Sequence, residues 1–119
     1  MRSTTTYRRG QVIVVNVPFT GHTGAKPRPA LVLSADAFHR KLPDLIVCPI
    51  SSQPRFYNRP GGGDHPLTHW KSLGLRYPST ARLSNLMAVE KRLIKRALAQ
   101  LHADDLADIE QGLRKVFSL

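Results

Sequence analysis

Arg28 stands between Pro27 and Pro29 at the mouth of an apolar run, and Ser51-Ser52 close the next such run, Val47-Cys48-Pro49-Ile50. The two prolines hold the backbone extended and restrict where the guanidinium points. A guanidinium offers a planar fork of donors that matches phosphate oxygens, and arginine keeps its charge at any working pH. A hydroxyl close to it can position the same group. The pair points to a phosphodiester, and so to RNA chemistry. Taken singly, the same residues also suit a surface arginine paired with a carboxylate and a strand-end serine with a structural role.

Histidine is the ordinary acid and base for RNA cleavage, and the chain has five. His22 precedes Arg28 in a loop and is placed to reach the same site. His65 and His69 have a spacing that would pair them on a helix, but Pro66 lies between them and the segment reads as strand or loop. No cysteine or carboxylate cluster completes a set there, so no metal site is expected. Cys48, the lone cysteine, reads as a small buried hydrophobe. Glu90 with Lys91 and Arg92 reads as a solvated ion pair. Lys26, Arg55, Arg59, Lys71 and Arg76 lie in or beside the expected loops, interleaved with Phe19, Phe56 and Trp70. Cations along a backbone with aromatic faces for bases are how single-stranded RNA is held. Core packing is the preferred role for Trp70.

These groups need elements to position them. Val- and Ile-rich Gln11 to Val17 reads as a strand, followed by a Pro- and Gly-broken loop from Pro18 to Pro27. Arg28 to Ser34 and Leu45 to Ser51 read as strands buried on both faces. Between them Ala35 to Lys41 suits a helical turn, with Ser34 as cap and Pro43 beyond its end. Gln53 to His65, with two prolines and three consecutive glycines, reads as a loop. Leu67 to Trp70 suits a fourth strand, and Ser79 to Val89 a fifth with a bend near Ser84-Asn85. Leu106, Ile109, Leu113, Val116 and Phe117 recur at helical spacing, with His102 at the cap, Asp104 and Asp105 in the first turn, and Arg114 and Lys115 near the last.

At 119 residues the chain is expected to form a single domain, 1–119. It has no apolar run of membrane-spanning length and no secretion signal at Met1 to Arg9, so a cytoplasmic protein without a membrane partner is expected. A formal charge of +10 implies an anionic partner, nucleic acid or an acidic protein. Short strands with one terminal helix suit a small, strongly curved antiparallel sheet.

Arg9-Gly10-Gln11-Val12, Val17-Pro18-Phe19, Arg28-Pro29-Ala30-Leu31-Val32-Leu33-Ser34 and Pro49-Ile50-Ser51-Ser52 occur in an order and spacing that resemble the MazF/PemK family of toxin ribonucleases. The resemblance continues through Trp70-Lys71-Ser72-Leu73-Gly74-Leu75, Pro78-Ser79 and Glu90-Lys91-Arg92-Leu93-Ile94-Lys95-Arg96. It implies a mainly β fold, a small SH3-like, partly open antiparallel barrel of the CcdB/PemK-like kind with a C-terminal helix. It also implies a homodimeric toxin of a type II toxin-antitoxin system, silenced by an acidic cognate antitoxin. The implied activity is a sequence-selective endoribonuclease that cleaves single-stranded mRNA without metal or other cofactor and so inhibits translation and growth. Arg28 and Ser51 would be catalytic, with Ser51 standing where the family has threonine. Phe19, His22, Lys26, Ser52, Gln53, Arg55, Arg59, Lys71 and Arg76 are the candidate RNA contacts. If the strand ending at Ser51 continued, Ser52 would face the other way. The group that accepts the 2′ proton is not given by these residues. Two other readings stay open: a catalytically weak SH3-like RNA-binding module, and a gyrase-poisoning toxin of the same fold, which the Arg-Pro and Pro-Ile-Ser elements disfavour.

Overall fold

The computed structural model describes residues 6–17 and 26–119. Its sheet contains β1 (Gln11–Val17), β2 (Lys26–Val32), β3 (Asp44–Ser51), β4 (Asp64–Pro66), β5 (Thr80–Arg82), β6 (Met87–Glu90) and β7 (Ile94–Gln100). The strands run in the order β4-β5-β3-β2-β1-β7, with β6 also on β3. Every pairing is antiparallel. Helices α1 (Asp36–Lys41), α2 (Pro54–Asn58) and α3 (Ala103–Phe117) complete the fold. The result is the expected antiparallel open sheet with a C-terminal helix.

β3 organises the sheet. One edge pairs with β2, while the other pairs with β6 over Asp44 to Val47 and with β5 at Ile50 and Ser51. Cys48 and Pro49 fall where that second edge changes partner, and proline has no donor to leave unmatched there. Alternation along the strands feeds two cores. Val12, Leu31, Leu33, Cys48 and Ile50 join Leu67, Leu73, Leu83 and Ile109 on one side. Ile13, Val15, Ala30, Val32, Leu45 and Val47 pack with Tyr7 and Val89 on the other. This burial on both faces is what the continuous apolar runs require.

Several boundaries differ from the sequence reading. β2 starts at Lys26 and ends at Val32 instead of running from Arg28 to Ser34. Pro27 and Pro29 are accommodated because both precede Ala30, the first residue paired with β3, so their missing donors fall where β2 has a single neighbour. The 53–65 loop contains α2, opened by Pro54 in its first turn, and β4. Leu67 to Trp70 is not a strand: a 3-10 turn spans Trp70–Leu73 and ends on left-handed Gly74. The bend at Ser84-Asn85 is real and divides the expected fifth strand into β5 and β6 through a 3-10 turn. The sequence over Ile94–Gln100 shows no strand pattern because β7, a charged edge carrying Lys95 and Arg96, lacks clean alternation. Ala35, not Ser34, occupies the cap position of α1.

Ser34 has another role. Its hydroxyl meets His39 Nε2 at 2.5 Å and accepts the Ile46 amide at 2.9 Å, while His39 Nδ1 lies 2.9 Å from the Tyr7 carbonyl. The carbonyl needs a donor, so Nδ1 carries the proton and Nε2 accepts from Ser34. This buried relay ties α1 to β3 and the N-terminal segment. At the other end, His102 caps α3 as expected, its Nδ1 accepting the Asp104 amide at 3.1 Å.

Candidate active site

The β2–β3 ladder pairs Val32 with Val47, Leu31 with Cys48 and Ala30 with Pro49. Continuing that register by two places sets Arg28 opposite Ser51. Both line one cavity of about 810 Å³, together with Ser52, Gln53, Arg55, Phe56, Arg76 and Tyr77. The Ser51 hydroxyl oxygen accepts the Gln53 amide at 3.2 Å. That bond uses a lone pair and leaves the hydroxyl proton available to an acceptor in the cavity. Ser52 lines the cavity as well, contrary to strict alternation, because β3 ends at Ser51 and the next residue is released from the pleat.

A further arginine on the cavity wall, Arg82, has no counterpart in the sequence reading. Its Nε donates to Asp64 Oδ1 at 2.8 Å, and its guanidinium lies 3.7 Å over the Phe56 ring. Asp64 is nearly buried, its side chain 4% exposed. Burial pushes its carboxyl upward, but the Arg82 hydrogen bond and charge and the Gly61 amide outweigh this and hold it below the usual carboxylate range. Arg82 is therefore fixed by an ion pair and an aromatic face. Arg55 approaches the same ring at 4.6 Å. Arg28, Arg55, Arg76 and Arg82 thus gather in one cavity with the ring of Tyr77, which is 61% exposed. A concave wall of one charge sign concentrates anions. No carboxylate or imidazole lines this cavity among the described residues. The sequence carried no signal for Arg82, because a lone arginine in a short strand reads as an edge charge and its partner is distant in the chain.

Phe19 and His22 are outside the described residues. Lys26 begins β2, exposed, and does not line the cavity; nor do Arg59, just past α2, and Lys71, which sits 5.6 Å over the Trp70 ring. Trp70 is partly buried against the first core, the role preferred for it. Cys48 is fully buried and its thiol is pushed up to about 12 by that burial, against one opposing hydrogen bond from the Arg82 backbone. Glu90 and Arg92 form the exposed ion pair at 2.9 Å, whereas Lys91 turns to the His39 carbonyl.

A small open antiparallel sheet with a terminal helix and an arginine-lined cavity at the end of β3 defines the class. Residues 8–117 match the family described as PemK-like, MazF-like toxin of type II toxin-antitoxin system, and the chain belongs to that family. Solved structures share the fold. The MazF crystal structure from Deinococcus radiodurans is 24% identical, with a TM-score of 0.74 over 98% of this chain and 100% of that one. An endoribonuclease in complex with its cognate antitoxin from Mycobacterial species is 19% identical, with a TM-score of 0.72 over 98% and 97%. The Mycobacterium tuberculosis toxin MazF-mt6 is 19% identical, with a TM-score of 0.73 over 92% and 97%. No functionally curated protein matches the sequence.

Proposed function

We propose that this toxin is a metal-independent endoribonuclease that cleaves single-stranded RNA by transesterification in the Arg28–Ser51 cavity. The observation that carries the reading is the convergence of four arginines with Ser51 and Ser52 on one concave wall. In this reaction the ribose 2′-hydroxyl loses its proton and its oxygen attacks the adjacent phosphorus, while the 5′ oxygen leaves and takes up a proton, giving a 2′,3′-cyclic phosphate and a 5′-hydroxyl. Negative charge gathers on the non-bridging oxygens as the fifth bond forms. Arg28 neutralises it with its planar fork, and Arg82, already held by Asp64 and Phe56, adds a second donor without needing to be ordered. Ser51 donates a hydrogen bond to the phosphate or positions the attacking group. Tyr77 offers a face to bases, and Arg55 and Arg76 hold flanking phosphates.

The partner we infer is an acidic antitoxin lying across the same cavity. The charge of +10 favours such a chain, and a mycobacterial neighbour of the same fold is seen with its cognate antitoxin. The toxin works as a homodimer in the cytoplasm, a reading that rests on the family. Incubating the protein with a long unstructured RNA in EDTA and sequencing the new 5′-hydroxyl ends tests the reaction. Discrete, recurrent cleavage sites are expected. Binding without cleavage would leave an RNA-binding module, and inhibition of DNA supercoiling without RNA cleavage would move the target to gyrase.

A further inference from the structure

The imidazoles of His69 and His102 stack with ring centroids 3.7 Å apart and planes 18° from parallel. Asp104 Oδ2 lies 3.6 Å from His69 Nε2 and 3.6 Å from His102 Nδ1. One donor atom from each of these residues falls within 4.8 Å of the other two. All three side chains reach solvent. The spacing of His65 and His69 would pair them only on a helix, which Pro66 argues against, and no metal site is expected there; the fold brings His69 to a histidine at the cap of α3 instead.

The frame behind the cluster is rigid. Asp105 is 2% exposed, and its two carboxylate oxygens accept the backbone amides of Thr68 and His69, each at 2.9 Å. That pair of hydrogen bonds fixes the backbone carrying His69 against the first turn of α3, which carries Asp104 and is capped by His102. His102 Nδ1 accepts the Asp104 amide, so this nitrogen is unprotonated and its lone pair is taken up by that amide. Bringing in an ion exchanges one neutral hydrogen bond for a coordinate bond.

First-row metal ions take imidazole nitrogen at about 2.0–2.1 Å and carboxylate oxygen at about 2.0–2.2 Å, which sets tetrahedral ligand atoms roughly 3.4 Å apart. The separations of 3.6 Å to Asp104 are close to this, and because the stacked rings aim their in-plane lone pairs along separate directions, one imidazole turns out of the stack for both to reach one ion. Two imidazoles with one carboxylate suit Zn²⁺, Ni²⁺ or Cu²⁺, and not Mg²⁺ or Ca²⁺, which prefer oxygen ligands. We propose that His69, His102 and Asp104 form a surface site for a divalent transition-metal ion, with the remaining position taken by water. The site is separate from the arginine-lined cavity, since none of its residues lines it, and it does not depend on the ribonuclease reading. An ion there ties the segment before Trp70 to α3 and stabilises the fold by mass action.

The test uses full-length, tag-free protein stripped with chelator. Zn²⁺ is titrated by calorimetry and its effect on Tm recorded. Cu²⁺ binding is followed by quenching of Trp70, the chain's one tryptophan, which adjoins His69. Saturable binding of one ion per chain and a rise in Tm with Zn²⁺ but not Mg²⁺ are expected. His69→Gln and His102→Asn should each weaken binding about tenfold or more. Asparagine keeps a good helix cap, so a loss in His102→Asn reports the ligand and not the cap. Circular dichroism confirms that the variants are folded. Non-saturating binding, an equal response to Mg²⁺, or undiminished affinity in either folded variant would overturn the proposal.

Discussion

The guanidinium of Arg82 lies 3.7 Å over the ring of Phe56 while its Nε is bonded to buried Asp64. This arrangement holds a cation at the cavity wall before any substrate arrives, and it makes Arg82 both a candidate donor and a structural partner. Arg82→Ala should slow RNA cleavage by about 10²-fold, the usual cost of one transition-state donor. It also strands a buried carboxylate, a loss of about 3–5 kcal/mol, so the rate must be measured on protein shown to be folded. Asp64→Asn separates the two effects by loosening Arg82 while retaining it. Because the folded Asp64 titrates below its unfolded value, its stabilisation is complete above about pH 4 and is lost as pH falls through the folded value. Chemical denaturation from pH 5 downward should show a shallower loss in Asp64→Asn than in the parent. An equal acid dependence in both would count against the pair.

Arg28 and Ser51 are the residues on which the reaction rests. Arg28→Ala should abolish detectable cleavage, and Arg28→Lys should restore little, because an ammonium lacks the planar fork. Ser51→Ala should be strongly impaired and also loses the acceptor of the Gln53 amide, about 1 kcal/mol. Ser51→Thr should keep or raise activity, since threonine supplies the hydroxyl with a stiffer χ1. Single-turnover rates on one RNA check the series, and near-parental cleavage by folded Arg28→Ala would move the active site elsewhere.

Salt dependence reports how many arginines meet phosphates. For single strands each contact contributes about −0.7 to the slope of log K against log salt. Arg55→Ala and Arg76→Ala should each make the slope shallower by about that amount. Binding isotherms of an uncleavable RNA at several ionic strengths provide the measurement, and a flat response in the parent protein would assign the positive charge to the antitoxin alone.

His65 packs where α3 has no side chain. A Cβ added at Gly112 would run into the His65 ring and come within 2.9 Å of Leu83 Cδ1. Gly112→Ala should therefore destabilise the protein by about 1–3 kcal/mol through overpacking, despite alanine's better helix propensity. Burial lowers the His65 titration point; Asp108 and Asp64 pull it up, and Lys115 pushes it further down. The unfolded chain thus binds this proton more readily than the folded one. Stability is complete above about pH 6.5 and falls as pH drops through the folded value. Tm between pH 7.5 and 5 should decline less in His65→Gln than in the parent, and parallel curves would remove His65 from the account.

Local composition determined much of this protein by itself. The apolar runs of β2 and β3 read as doubly buried strands and that of β1 as a strand, the 3.6-residue spacing from Leu106 to Phe117 reads as an amphipathic helix, and Pro-flanked Arg28 followed by Pro-Ile-Ser picks out residues that line one cavity. These signals are short-range, and a residue's neighbours in the chain suffice to generate them. The tertiary structure decided what depends on contacts between distant segments. It released Ser52 from the pleat at the end of β3, made a strand of charged 94–100 by pairing it with β1, and brought Arg82 to Asp64 and Phe56. Asp105 reads in the chain as a first-turn charge favoured by the helix dipole, yet it is buried and holds the amides of Thr68 and His69. His69 likewise meets His102 only because that carboxylate fixes one segment on the other. Burial and charge pairing of this kind have no period and no fixed spacing, so only packing reveals them.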